Sequence, residues 1–339
     1  MNISICIPAY GRQAQINELI SSIVSAARHS VGIWRKIEVI VSDNASSPSI
    51  FLPSIDDLAG FETRLIRQNT NIGAAKNFIA VALAATGDYC WWMGSDDTIQ
   101  QDAFTQIHRQ ITEFENAQLW VFDRLDWHPI ANKLSRRSWY RNIPPRSIFD
   151  LSSDEEILKF ANASLGIGGL FSFLGSLVFK RNFFCLSNIP DRIYGTAYPH
   201  VYILLRKRPR LVCNLAPLVK CRLGDDSFSG KSALSRLLLD IDGYSTLLDS
   251  LAWTELLKAS FAGVVGRELV DNYLKTAANT FNLFIRSSSE DVVKMRKWFA
   301  SQQHLPVAIR FIGYLPNCMF TISRLFRNSL KLVSGKFKQ

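Results

Sequence analysis

Gly87-Asp88-Tyr89-Cys90-Trp91-Trp92-Met93-Gly94-Ser95-Asp96-Asp97 sets a short apolar run directly against two adjacent carboxylates. Asp88–Met93 is too short for a stable helix, and Gly94 closes it, which reads as a buried strand. Neighbouring carboxylates at a strand end repel each other, so the arrangement is costly unless something positive binds there. A hard divalent cation, Mg²⁺ or Mn²⁺, held by one carboxylate and by a ligand's phosphates would relieve that repulsion. Asp-Asp-Thr ahead of a helix is also good N-capping chemistry. The pair taken alone leaves both readings open.

Outward from this stretch the chain alternates. Ile3–Pro8, Ile37–Ser42 and Arg64–Arg67 read as strands, and Leu119–Phe122 as another. Between them Gln13–Arg28, Gly73–Ala85 and Asp102–Phe114 have helical spacing. Strands that are continuous in apolar residues suit a parallel sheet covered on both faces. The rhythm predicts an α/β fold, an open and mostly parallel Rossmann-like sheet with helices on both sides. Further on, Ser153–Ala161 and Val201–Arg206 read as helices, Gly175–Phe179 as a strand, and Arg210–Cys221 as two strand-like runs around Pro217. From Lys231 to about Gln303 the pattern is helical throughout. The expected division is 1–228 for the α/β domain, 229–303 for a helical region, and 304–339 for a basic amphipathic tail.

Ligands of open α/β sheets bind beyond the carboxyl ends of the strands. Four strand ends carry candidates: Pro8-Ala9-Tyr10-Gly11-Arg12, then Ser42-Asp43-Asn44, then Asn69 to Gly73 with Lys76, then Gly94-Ser95-Asp96-Asp97. No G-x-G-x-x-G follows the first strand, which argues against a dehydrogenase. Pro-Ala-Tyr-Gly-Arg is also a poor triphosphate loop, which weakens a sugar nucleotidyltransferase reading. Asp43 could instead form an Asx-turn, and Asn71 and Gly73 could cap the next helix.

Composition narrows the classes. Of 339 residues, 47% are hydrophobic and 20% charged, enough for a large core, and mean hydropathy is +0.05. The six scattered cysteines include no C-x-x-C pair, which suits a reduced intracellular protein. No unbroken apolar run is long enough to span a bilayer, and the N-terminus opens directly on an apolar strand without a basic leader, which argues against a signal peptide. Net charge is +10, and nine basic residues from Lys294 to Lys338 supply nearly all of it. A helix starting at Pro316 would set Cys318, Met319, Ile322, Leu325, Phe326 and Val333 opposite Arg324, Arg327 and Lys331. That pattern suits an anionic membrane interface. A non-enzymatic peripheral membrane or nucleic-acid binder would use the same tail, but the aspartates would then have no purpose, and no nucleic-acid module is visible.

Ile-Ser-Ile-Cys-Ile-Pro-Ala-Tyr, Ile-Glu-Val-Ile-Val-Ser-Asp-Asn-Ala-Ser-Ser, Asn-x-Asn-Ile-Gly-Ala-Ala-Lys-Asn and Gly-Asp-Tyr-Cys-Trp-Trp-Met-Gly-Ser-Asp-Asp occur in that order over about residues 1–100. Together they resemble family 2 glycosyltransferases of the GT-A fold. The resemblance implies a nucleotide-sugar donor and a divalent metal. Pro8, Ala9 and Tyr10 would line base and ribose, and Asp43 would accept a hydrogen bond from the base. Asn71, Gly73 and Lys76 would border the nucleotide, together with Arg12 and Ser95. Asp96 would hold the ribose and Asp97 the metal; the family's D-x-D reads Ser-Asp-Asp here.

The acceptor half departs from the family. The usual acidic pair is replaced by Pro199-His200. His200 is therefore a candidate metal ligand or base, and Asp191 a candidate base. Phe171 to Arg181 is similar to the acceptor-side strand of O-antigen sugar transferases of the abequosyltransferase type, which would set Gly175 and Ser176 near the transferred sugar. The implied acceptor is a glycan, in particular a lipid-linked one. The implied location is cytoplasmic, at the inner face of the cell membrane and attached through the tail, with no role for nucleic acid.

Overall fold

The computed structural model describes residues 1–55, 58–224, 233–274 and 276–301, together with 314–315, 319–320 and 323. The chain opens with β1 (Asn2–Ala9), α1 (Gln13–His29), β2 (Lys36–Asp43), β3 (Phe61–Arg67), α2 (Ala74–Leu83) and β4 (Tyr89–Trp92). The short β5 (Thr98–Ile99) and α3 (Ala103–Glu113) follow, then β6 (Leu119–His128), β7 (Lys133–Arg137), β8 (Ser147–Asp150) and α4 (Asp154–Ala163). After these come β9 (Leu177–Lys180), α5 (Asp191–Tyr194), α6 (Pro199–Leu205) and β10 (Arg210–Arg222). Helices α7 (Ala233–Ser250), α8 (Glu255–Asn272), α9 (Ala277–Ile285) and α10 (Ser289–Ser301) complete the described elements.

One sheet runs in the order β3-β2-β1-β4-β9-β6-β10-β5, with β7 against β6 and β8 against β10. β3, β2, β1 and β4 are mutually parallel. β9 inserts antiparallel between β4 and β6, so β6 points the same way as β4. The C-terminal ends of β1 to β4 and β6 therefore open on one edge. Apolar periodicity explains the layers: α1 buries Ile16, Leu19, Ile20 and Ile23 against a face that includes Ile5, Ile7, Val39 and Val41. Each such side chain contributes about 1.5–3 kcal/mol by leaving water.

Packing divides the chain into two units, Met1–Asp226 with Ser245–Val264, and Ser227–Tyr244 with Val265–Gln339. In the first, Trp253 meets Phe261 edge to face, and Phe261 reaches Phe160 of α4. In the second, Phe284 stacks on Phe299, with Phe320 beside it.

Three details differ from the sequence reading. Arg210–Cys221 is one strand rather than two runs; Pro217 causes a register irregularity against β6 between Asn214 and Val219, as a residue without an N–H must within a ladder. Gly175 and Ser176 form a 3₁₀ turn ahead of β9 rather than its start. The β6–β7 hairpin and the β8 pairing lack an apolar pattern, because β7 (Lys-Leu-Ser-Arg-Arg) is mostly exposed. The expected tail helix from Pro316 falls, isolated positions apart, outside the described residues. Among those described, no helix is long and apolar enough to cross a membrane.

Candidate active site

The loops after the parallel strands are stitched to one another. Gly11 and Arg12 both take positive φ, which turns the chain sharply from β1 into α1. The Gly11 N–H donates to Ser46 Oγ at 2.8 Å, tying the first loop to the second. Asn44 donates to Asn71 Oδ1 and accepts from the Ile72 N–H, both at 2.9 Å, and Asn71 also accepts from the Gly73 N–H. Asn71 thus shapes the turn into α2, whose first turn carries the exposed Lys76. Tyr10 is 59% exposed, whereas Pro8 is half-buried and Ala9 buried.

Asp43 is fully buried. Its carboxylate accepts from the Ser46 and Ile50 N–H groups at 2.9 and 3.3 Å and from Arg67 Nη1 at 2.9 Å. It holds the loop and presents no surface of its own to a base, which differs from the role the resemblance implies.

Asp96 and Asp97 have opposite surroundings. Asp96 is half-buried and pairs with the Arg12 guanidinium. Asp97 is 4% exposed. Burial first, and the charge of Asp96 second, push its carboxyl up to about 7, against the pull of Arg124, the Arg222 N–H and the Cys221 thiol. A methyl group on Gly94 would meet Asp97 Oδ2 at 2.7 Å, so a larger residue there would have to push that carboxylate aside. Ser95 is buried between them. A carboxylate whose proton affinity is raised first by burial and then by its neighbour is one whose ionised form a cation would stabilise.

The far wall was not read from sequence. β10 pairs with β5 through Lys220 and Thr98 and with β6 through Cys221 and Asp126, which sets β10 alongside Asp97 with β6 as the next strand. The Arg222 N–H donates to Asp97 Oδ1 at 3.2 Å. Arg124 donates to Asp126 Oδ1 at 2.7 Å and lies over the rings of Phe173 (4.3 Å) and Trp139 (5.1 Å). Lys220 and Arg222 both lie over Trp127, at 4.0 and 4.7 Å. Cations stacked on aromatic rings and the Arg124–Asp126 ion pair therefore flank the acidic pair.

Three of the acceptor-side candidates are buried. His200 is 1% exposed; its Nε2–H donates to the Phe171 carbonyl at 3.0 Å, and Trp92, Phe78 and Tyr198 surround the ring. Burial lowers its pKa to about 4, so the imidazole is neutral at physiological pH. Ser176 is buried and accepts from Trp139 Nε1 at 2.8 Å, and the Gly175 carbonyl accepts from Trp91 Nε1 at 2.8 Å. In this conformation His200, Gly175 and Ser176 are enclosed by their packing on the sheet's aromatic residues, whereas the resemblance sets them near the ligand. Asp191 is exposed at the start of α5. Among the described residues no group of three or more His, Cys, Asp or Glu side chains converges as a complete metal-ligand set, so Asp97 and His200 do not belong to one.

This sheet, with its acidic pair after β4, matches a GT-A-type glycosyltransferase. Residues 4–157 match the profile of "Glycosyl transferase family 2". Abequosyltransferase RfbV of Salmonella typhimurium is 32% identical over 279 residues, 79% of this chain and 81% of that protein. Staphylococcus aureus TarS 1–349 in complex with UDP-GlcNAc superposes with a TM-score of 0.54 at 14% identity, covering 97% of this chain and 92% of that one. TarS 1–349 in complex with UDP gives 0.53 at 13% identity. The chain belongs to glycosyl transferase family 2, and it is a glycosyltransferase.

Proposed function

We propose that the chain moves a sugar from a nucleotide-sugar donor to a glycan acceptor, and that the acceptor is lipid-linked, as in the synthesis of O-antigen or a similar surface polysaccharide. The observation that carries this reading is Asp97: a buried carboxylate with a raised proton affinity, beside Asp96, at the strand-end edge where such folds take nucleotides. Similarity to an abequosyltransferase over most of both chains supports a deoxyhexose or hexose as the transferred sugar.

In this reading Pro8, Ala9 and Tyr10 line the nucleoside, and Asn71, Gly73 and Lys76 border it. Asp96, oriented by Arg12, takes the ribose. The acidic pair fits a divalent cation, because burial and Asp96 push the Asp97 carboxyl up despite Arg124, and a Mg²⁺ or Mn²⁺ ion would complete its sphere with phosphate and water rather than with many protein ligands. When bound, the ion supplies charge to the departing diphosphate. The protein's own part is to hold Asp97 in place through Gly94 and the Arg222 N–H, and to keep Arg124 beside it. The basic tail gives the enzyme its place at the cytoplasmic membrane face, where lipid-linked acceptors are found.

The test is turnover. Purified protein, membranes carrying lipid-linked glycans and a panel of nucleotide sugars are combined, and label transferred to the organic-extractable fraction is counted. The proposal expects transfer from one donor, abolished by EDTA, restored by Mn²⁺ or Mg²⁺, and reduced at least about a hundredfold in Asp97→Ala. Transfer that is undiminished by EDTA and by Asp97→Ala would overturn the metal-dependent reading.

A further inference from the structure

The row of residues at the nucleoside end of the sheet carries more than the resemblance implies. Ala9, Asp43 and Arg67 stand at one level on β1, β2 and β3, since Ala9 pairs with Asp43 and Asp43 with Arg67. Paired residues of parallel strands project to the same face. Of the three, Ala9 and Asp43 are buried, whereas the Arg67 side chain is 46% exposed.

Arg67 is also fixed. Its Nη1 donates to Asp43 Oδ2 at 2.9 Å, and its Nη2 donates to the Ser46 carbonyl at 3.0 Å. A guanidinium has five N–H donors in a rigid planar fork. Two are spent on these anchors, which hold the plane in place, and the edge that includes Nε remains open. The carboxylate that would otherwise present acceptors to a base is neutralised and covered. At this level the sheet offers hydrogen-bond donors, not acceptors.

We infer that Arg67 selects the donor's nucleobase, favouring bases that present two adjacent hydrogen-bond acceptors over those that present an N–H between carbonyls. Cytosine, through O2 and N3, and guanine, through O6 and N7, meet a two-donor edge. Uracil and thymine set their N3–H against it and leave a donor facing a donor. A mismatch of that kind in a partly buried site leaves polar groups unpaired and discriminates strongly. Asp43 then acts as a positioning residue for Arg67. This inference rests on the proposed nucleotide site, because it assumes that the nucleoside lies over the Pro8–Tyr10 end of the row.

The experiment is isothermal titration of the full chain with CDP, GDP, UDP and TDP in the presence of Mn²⁺, repeated on Arg67→Lys and Arg67→Gln. Lysine keeps a cation beside Asp43 but has no planar edge, so it separates recognition from loss of the loop's anchor. The expected result is that CDP or GDP binds at least about tenfold more tightly than UDP and TDP, and that Arg67→Lys reduces the preference to within about threefold while the variant keeps the wild-type circular dichroism. CDP and GDP identify which acceptor pair is read. Equal or tighter binding of UDP or TDP to the wild type, or a preference that survives in Arg67→Lys, overturns the inference. Binding of no nucleotide at all overturns the site itself, and this inference with it.

Discussion

At the scale of the residue, environment separates groups that composition alone treats alike. His200 and Asp97 are both buried and titratable, but one is enclosed by rings and the other faces a second carboxylate. The unfolded chain holds His200 near 6.5 and the fold holds it near 4. A depressed base contributes stability above its unfolded value and loses it as pH falls, so stability declines between about pH 6.5 and 4 by up to roughly 3 kcal/mol. Urea unfolding of wild type and His200→Gln at several pH values checks this: the difference should shift in the variant's favour as pH falls, and a constant difference would contradict it. Gly94→Ala should drive the Asp97 carboxylate aside, lowering transfer at least about tenfold through a misplaced charge with only a small change in melting temperature. A variant with wild-type turnover would count against the geometry given for Asp97.

At the scale of the element, legibility followed burial and locality. β1, β2 and β4 are covered on both faces, so continuous apolar runs marked them, and the residues just after them could be read as a site. β7 and β8 carry no such pattern because their stability comes from pairing with β6 and β10, not from their own side chains. Arg67, Arg124, Asp126 and Arg222 were missed for a related reason. Their importance comes from sheet register, and for Arg222 from a bond to Asp97, 125 residues away. His200 is a different case: the aromatic packing that encloses it comes from residues distant in sequence and has no local signal. The loop ahead of β9 offers a test. A methyl group on Gly168 would meet the Trp139 ring at 2.1 Å, and Trp139 is anchored to Phe122 and Ser176. Gly168→Ala should cost about 1–3 kcal/mol by overpacking, seen as a lower urea midpoint; an unchanged midpoint would show that the loop is not seated as described.

At the scale of the whole molecule, the edge of one sheet collects the groups, and the proposed membrane address rests on the basic residues of the tail. Reversing Arg324, Arg327 and Lys331 to glutamate in the full chain should weaken co-sedimentation with phosphatidylglycerol vesicles by roughly a hundredfold, at about 1 kcal/mol per basic residue, without changing nucleotide binding. Vesicle binding that is unaffected would remove the tail from the account. The most direct test of the central claim is the thermal stability of the protein with UDP, CDP, GDP and TDP, each with and without Mn²⁺, for wild type and Asp97→Ala. At about a hundred times its dissociation constant a ligand adds roughly 2.7 kcal/mol. The account predicts a clear upward shift with at least one nucleotide, dependent on Mn²⁺ and absent in Asp97→Ala. No shift with any nucleotide, or an undiminished shift in Asp97→Ala without metal, would contradict it.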